Sequence, residues 1–296
     1  MVTRIYFMQV RRAQGGPSAI LVDVFDRLSR RGFQIADGIA EELVARPDLL
    51  RPDHDLYVLK SHTELSLSLA GVLHAHGARI LNPYASCART QNKIVVSSIL
   101  RAAGIPAPRT WVTGNLTFLM EVAREVRLVL KPYRGHRGAG IHVIDRPLQL
   151  AAIPSSDTPL IAQEYVPGTG EDLKVYVVGD QVFGVRKPFS ETSFASAGFP
   201  GPVDSTTCDI ARRCGAVLGL GLYGIDVIES PSGPVVVDVN YFPGYKGVPA
   251  IAPIIADYIA AYALGTIDLI TADFAPRPRA AQPHIHDRDQ HFVQPA

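Results

Sequence analysis

Two valine-rich runs separated by a turn constrain this chain most: Gly224-Ile225-Asp226-Val227-Ile228 and Val235-Val236-Val237-Asp238-Val239-Asn240-Tyr241. Glu229-Ser230-Pro231-Ser232-Gly233 between them is turn chemistry, so the pair reads as a β-hairpin. Side chains alternate along a strand, which puts Asp238 and Asn240 on one face of the second strand, with Asp226 across from them. Two carboxylates and an amide oxygen are hard ligands, suited to a partly hydrated Mg²⁺ that completes its shell from phosphates. A lone D-x-N is more often a solvent-facing pair beside a turn, here Phe242-Pro243-Gly244. Against that, Asp238 lies among valines, which implies a strand buried on both faces, where a carboxylate needs a cation or several donors.

Phosphate-binding parts occur upstream. Val126 to Pro132 is a β-rich segment ending in Lys131, and it runs into Tyr133-Arg134-Gly135-His136-Arg137-Gly138-Ala139-Gly140-Ile141. Gly135, Gly138 and Gly140 predict a pliable loop between two strands, whose backbone N–H groups can close over a polyphosphate with help from Arg134 or Arg137. Neither familiar glycine fingerprint is present: no G-K-[S/T] follows, and a strand rather than a helix comes next. By itself the loop reads more readily as an ordinary hairpin connection.

Six lysines, at 60, 93, 131, 174, 187 and 246, stand among 29 basic residues, so each is worth examining as a point charge for phosphate. Lys93 lies at the start of an apolar-periodic helix expected from Thr90 to Ala103, Lys131 closes a strand, and Lys174 sits in a hairpin that turns at Gly179-Asp180. Lys246 reads as a surface charge.

Taken in order, these motifs resemble an ATP-grasp enzyme: a helix-opening lysine, V-L-K-P with a glycine loop, Gln163-Glu164-Tyr165-Val166, K-V-Y-V-V-G-D, G-I-D and D-V-N-x-x-P-G, over roughly residues 80 to 265. The resemblance implies a three-subdomain fold, α/β at the N-terminus and α+β in the ATP-grasp part, with a parallel N-terminal α/β domain and ATP clamped between two sheets. It implies that Lys93 and Lys131 hold the α- and β-phosphates and that Gly135, His136, Gly138 and Gly140 belong to a flap over them. Adenine would dock on Gln163, Glu164, Tyr165 and Val166, with Glu164 taking the exocyclic amine and Asp172 the ribose. Lys174 and Arg186 would reach the γ-phosphate and substrate. Lys60, Asn240 and Gly244 would lie on the acceptor side, and Asp226, Asp238 and Asn240 would hold one or two Mg²⁺ ions, or Mn²⁺ in their place.

Length allows about two domains or more, and the 47% apolar content supports sizeable cores. Strand and helix alternate over residues 1–85, implying a parallel α/β domain. Residues 86–166 and 167–270 would hold the two nucleotide-binding halves, and 271–296, rich in Pro, Arg and His, reads as a disordered tail. A net charge of +1 without a long basic run argues against nucleic-acid binding. Three cysteines without C-x-x-C spacing, no signal-peptide pattern and no membrane-length apolar run predict a cytoplasmic protein with no membrane partner. The oligomeric state is not legible.

The expected chemistry is transfer of the γ-phosphoryl of Mg-ATP to a small anionic acceptor. A carboxylate acceptor gives an acyl phosphate that an amine attacks, making a C–N ligase; a hydroxyl acceptor gives a kinase. The glycine loop looks most like ligases that add glutamate to ribosomal protein or join peptides in glutathione-type synthesis, although Pro188 to Phe194 lack the arginine, asparagine and paired glycines usual there. Lys174 to Gly179, Val185 to Ser190, Asn240 to Tyr245 and Lys60 resemble ATP-grasp inositol-trisphosphate kinases. The ligase is the preferred reading and the kinase its near-equal alternative. A nucleotide-binding module without catalysis is a third, disfavoured by the complete metal set.

Overall fold

The computed structural model describes residues 2–12, 15–134, 140–154, 159–188 and 198–269. The expected tail of 271–296 lies outside them.

The N-terminal part is a four-stranded parallel sheet. Its elements are β1 (Arg4–Gln9), α1 (Ala19–Arg30), β2 (Gln34–Ile39), β3 (Leu56–Leu59), α2 (Glu64–Ala75) and β4 (Ile80–Leu81), in spatial order β2-β1-β3-β4. Both helices start where a hydroxyl can take an orphan N–H: Ser18 accepts from Leu21 and Thr63 from Ser66, each at 3.3 Å. Leu21, Val24 and Leu28 recur at helical spacing and are the buried face of α1. Strand β2 is half-exposed and carries Asp37 and Gly38, which hides its period from a sequence reading.

The helix expected from Thr90 to Ala103 is two: α3 (Tyr84–Gln91) and α4 (Lys93–Ala102). Asn92 breaks it, adopting extended backbone and accepting from Ile94 and Val95 N–H at 3.1 and 3.3 Å. A side-chain cap here competes with helix continuation and makes Lys93 the first residue of α4.

Two antiparallel sheets follow. The first runs β5-β8-β6-β7 and consists of β5 (Thr110–Thr113), β6 (Leu128–Pro132), β7 (His142–Ile144) and β8 (Leu160–Glu164). With α5 (Met120–Glu125) it encloses a small separate core built on Leu119, Leu128, Leu130, Ile144 and Leu150. The second runs β11-β10-β9-β12-β13, from β9 (Glu171–Val178), β10 (Gln181–Pro188), β11 (Phe199–Gly201), β12 (Leu222–Ser230) and β13 (Gly233–Tyr241), with α6 (Ser205–Leu218) and α7 (Ile251–Ala263). Its core is continuous with that of the parallel sheet. The buried Asn82 amide fixes the junction, donating to Leu222 O (2.8 Å) and accepting from Gly221 and Leu222 N–H (2.8 and 3.0 Å).

The expected hairpin is β12-β13, with a bulge. Asp226 stands opposite Asp238, the next pair is Val227 with Val236, and Val237 is left over. The strand is not buried on both faces as its valines suggest: Val236, Val239 and Tyr241 are buried, whereas Asp238 and Asn240 are only half-buried. That half-open face is the one that carries the polar groups.

Candidate active site

Strand register decides which side chains meet. Lys174 lies opposite both Val185 and Asp226, Asp172 opposite Lys187, Asp226 opposite Asp238, and Gly224 opposite Asn240. Directly opposed residues share a face, so Asp172, Lys174, Lys187, Asp226, Asp238 and Asn240 all project from one side of the sheet. Lys174 Nζ binds Asp226 Oδ1 at 2.8 Å, Asn240 Nδ2 donates to Asp238 Oδ2 at 3.3 Å, and Lys93 forms an ion pair with Asp238. From the facing sheet, Lys131 Nζ donates to Val237 O at 2.8 Å, the carbonyl of the bulged residue. The first turn of α4 is pinned to the same place, because Lys93 N–H donates to Tyr133 O at 3.0 Å.

Burial alone would raise the Asp238 pKa, but the charges of Lys93 and Lys131 and hydrogen bonds from Lys93 and Asn240 outweigh it and hold the carboxyl below its ordinary value. Burial pushes the Lys131 ammonium down to about 8, despite the Asp238 charge. The Lys174 ammonium is raised: burial opposes its charge, but the Asp226 carboxylate more than compensates. Burial raises Asp172 and lowers Lys187. Cations and carboxylates therefore interleave in a half-buried cleft.

Among the described residues no three His, Cys, Asp or Glu side chains gather as metal ligands. What the face offers is two opposed carboxylates with an amide beside them, a donor set too small to close a shell. That set fits Mg²⁺, which keeps waters and takes phosphate oxygens.

A cavity of about 280 Å³ opens next to this face, between the N-terminal sheet and β13. His62, Glu64, Gln91, Lys93, Arg134 and Asn240 contribute polar groups to its wall. Glu64 accepts from Arg134 Nη1 (2.8 Å) and Gln91 Nε2 (3.1 Å) across the opening. His62 packs on the Tyr241 ring, centroids 4.1 Å apart.

On the side expected for adenine, Gln163 is buried and donates to Ser97 Oγ and Thr110 Oγ1, each at 3.1 Å. Glu164 is held by Arg109 in a two-point ion pair (2.8 and 3.1 Å), which lowers its pKa. Tyr165 N–H donates to Arg127 O at 2.8 Å, while its ring lies 3.8 Å from the Arg127 guanidinium. The Tyr165 amide is thus engaged by the chain itself, leaving its carbonyl and Val166 as the backbone edge for a base.

Two expected placements need correction. Arg186 projects from the opposite face to Lys174, since it pairs with Leu173, and it grips Glu229 at 2.6 and 2.8 Å with Glu171 at 3.6 Å. The lysine beside it, Lys187, stands on the Lys174 face instead: it is buried and feels the charges of Lys174, Lys246, Asp226 and Asp172. The two-residue turn Gly179-Asp180 already implied this, because it puts Lys187 opposite Asp172. Lys60 does not line the cavity; its Nζ donates to Phe242 O at 2.7 Å over the Phe242 ring, and burial lowers its pKa to about 8. Gly244 is exposed, and among the described residues only Lys246 comes near the position a side chain would occupy. Gly140 has φ +73°, which a side chain rarely adopts. Gly135, His136 and Gly138 lie outside the described residues.

Known proteins resemble this chain in sequence and in fold. The model of the RimK-like ATP-grasp domain matches residues 90–262. A probable alpha-L-glutamate ligase of Xanthomonas oryzae is 29% identical over 64% of this chain and 70% of its own length. Inositol-tetrakisphosphate 1-kinase 2 of Glycine max is 28% identical over 45% of this chain, which spans only 51% of that kinase. Among solved structures, a RimK domain ATP-grasp protein from Sphaerobacter thermophilus superposes with a TM-score of 0.72 at 18% identity, over 87% of this chain and 100% of the other. D-alanine--D-alanine ligase from Bacillus anthracis gives 0.65 at 17%, over 90% and 98%. The ATP-grasp ligase PsnB, complexed with minimal precursor, Mg and ADP, gives 0.61 at 20%, over 86% and 96%. With more than half of its length matched by the family model, the chain belongs to the RimK-like ATP-grasp family of ATP-dependent enzymes.

Proposed function

We propose that the chain is an ATP-dependent carboxylate–amine ligase that activates a small carboxylate as its acyl phosphate, with L-glutamate the first compound to try. One observation carries this reading: Lys93, Lys131, Lys174 and Lys187 converge on the opposed Asp226 and Asp238, beside a cavity to which Arg134 adds a further cation. Family membership and the glutamate-ligase relatives support the ligase over the kinase, whose relative matches less of the chain.

Lys93 and Lys131 would exchange their present acceptors, Asp238 and the Val237 carbonyl, for phosphate oxygens of ATP. Lys174 and Lys187 would meet the charge on the transferring γ-phosphoryl. Asp226, Asp238 and Asn240 would hold Mg²⁺, which when bound neutralises the β- and γ-phosphates. Catalysis in this account comes from positioning and charge, with groups fixed before the reaction starts. The carboxylate would lie in the 280 Å³ cavity, against Lys93 and Arg134. The kinase reading keeps every nucleotide contact and changes only the acceptor.

The fate of the γ-phosphate tests the choice. With Mg-ATP and panels of amino acids, phosphate freed only when carboxylate and amine are both present supports the ligase. Phosphate retained on a polyol product would establish the kinase instead.

A further inference from the structure

A second, narrower crevice lies between α4, the first antiparallel sheet and β13. Lys93 and Lys131 line it, with Val96, Leu100 and Val236 as apolar walls and Ser97 and Gln163 as polar ones. We propose that Ser97 and Thr110 make this crevice select adenine, by fixing the Gln163 amide with its carbonyl oxygen toward the base. The proposal rests on the placement of ATP given under the proposed function and not on the choice of acceptor. The free crevice holds only about 10 Å³, so a base enters with the exchange of partners already assigned to Lys93 and Lys131.

Hydrogen bonding decides which way the amide points. Gln163 on β8 stands opposite Thr110 on β5, so their side chains share a face, and Ser97 reaches them from α4. The Thr110 hydroxyl donates to Pro108 O at 3.2 Å, which uses its one proton. Ser97 Oγ lies 3.1 Å from Thr110 Oγ1 and is therefore the donor of that pair. Both oxygens are left as acceptors toward Gln163, and only its NH₂ end can serve them, at 3.1 Å each. Gln163 is 6% exposed, and among the described residues no donor meets its Oε1. The sealed, unpartnered side-chain oxygens among those residues belong to Ser66 and Ser86, so Gln163 Oε1 opens onto the crevice.

A fixed acceptor suits the six-amino group of adenine, which donates. A six-oxo purine brings an oxygen to the same place, and two acceptors then face each other. Turning the amide over to offer an N–H sets Oε1 against two hydroxyl oxygens whose protons are already given away. Discrimination of this kind is strong, because the wrong base leaves buried polar groups unpaired. Ser97 and Thr110 act through Gln163 and are positioning residues. Glu164, next along β8, projects from the other face and is held by Arg109, so the exocyclic amine falls to Gln163 instead.

Binding of three nucleotides with Mg²⁺ tests this without turnover: ATP, purine riboside triphosphate, which lacks the six-amino group, and inosine triphosphate, which carries an oxygen in its place. By calorimetry the wild-type protein should bind ATP about tenfold tighter than purine riboside triphosphate and about 10²-fold tighter than inosine triphosphate. Gln163→Met should abolish the first preference. Ser97→Ala combined with Thr110→Val lets the amide turn and should cut the ratio of ATP to inosine triphosphate affinity about tenfold, while Thr110→Ser should keep it. A merely structural role would weaken all three nucleotides alike and leave the ratio untouched. Thermal melting shows whether each variant folds; if the double variant does not, Thr110→Val alone replaces it with the same readings. Equal wild-type affinity for ATP and purine riboside triphosphate would overturn the proposal with no variant needed, and so would an unchanged ratio in the folded hydroxyl variant. Failure of the wild type to bind any of the three would instead sink the placement of ATP itself.

Discussion

Asp226 and Asp238 face each other across neighbouring strands, and each is engaged by a lysine, Lys174 at 2.8 Å and Lys93 by an ion pair. The side chains proposed to hold metal and phosphate therefore neutralise one another in the free protein. On the proposed function, these carboxylates and lysines would release one another when Mg-ATP binds.

Replacing Asp238 by Asn keeps the shape and removes the charge. Turnover should fall by about 10²-fold or more, because the metal loses a charged ligand at the transferring phosphate. The circular-dichroism spectrum should stay that of wild type. Wild-type kcat at ordinary Mg²⁺ would contradict the metal assignment.

Lys131 yields a pH prediction. Its folded pKa is near 8 against an ordinary 10.5, so the free protein loses this ammonium as pH rises past about 8. Mg-ATP affinity should decline from about pH 7 to about pH 9, and binding at the upper end should take up a proton, read as a buffer-dependent calorimetric enthalpy. Lys131→Arg, charged throughout, should flatten the decline. A steep decline persisting in that variant would place its origin elsewhere.

Adjacent residues on β10 should behave oppositely. The Arg186–Glu229 pair is about 30% exposed on both sides and lies on the far face, so Arg186→Ala should cost less than about 1 kcal/mol and leave Mg-ATP affinity and kcat near wild type. Lys187→Met should lower kcat about tenfold or more through its loss beside Lys174 and Asp226. Urea unfolding and steady-state kinetics on both variants check this; the reverse pattern would restore Arg186 to the site.

These contrasts mark what was legible in the sequence. The β12-β13 hairpin was, because valine alternation and a Pro-Ser turn specify it, and so was the shared face of Asp238 and Asn240. The bulge at Val237 was not, since it depends on how β13 meets β12 and on the Lys131 that reaches its carbonyl. The family resemblance points to Arg186, whereas the count through the Gly179-Asp180 turn puts Lys187 on the Lys174 face. His62 and Glu64 acquire meaning only when the parallel sheet is docked on β13, a tertiary fact with no local period.

Lys60 is assigned to the fold. Its folded pKa is near 8 and its ordinary value 10.5, so between those pH values the unfolded chain holds a proton that the folded one sheds. This group therefore stabilises the fold progressively as pH rises through that window. Lys60→Met should remove that increment from pH-dependent urea titrations while leaving Mg-ATP affinity unchanged. A raised KM for the acceptor with an unchanged pH profile would return Lys60 to the substrate.

The most direct test of the central claim follows the oxygen of the carboxylate. If the acceptor is activated as an acyl phosphate, a carboxylate labelled with oxygen-18 must pass one labelled oxygen to the released phosphate during amide formation. Mass spectrometry of that phosphate should show the label in stoichiometric amount. Unlabelled phosphate, or phosphate retained on the acceptor, would contradict the account.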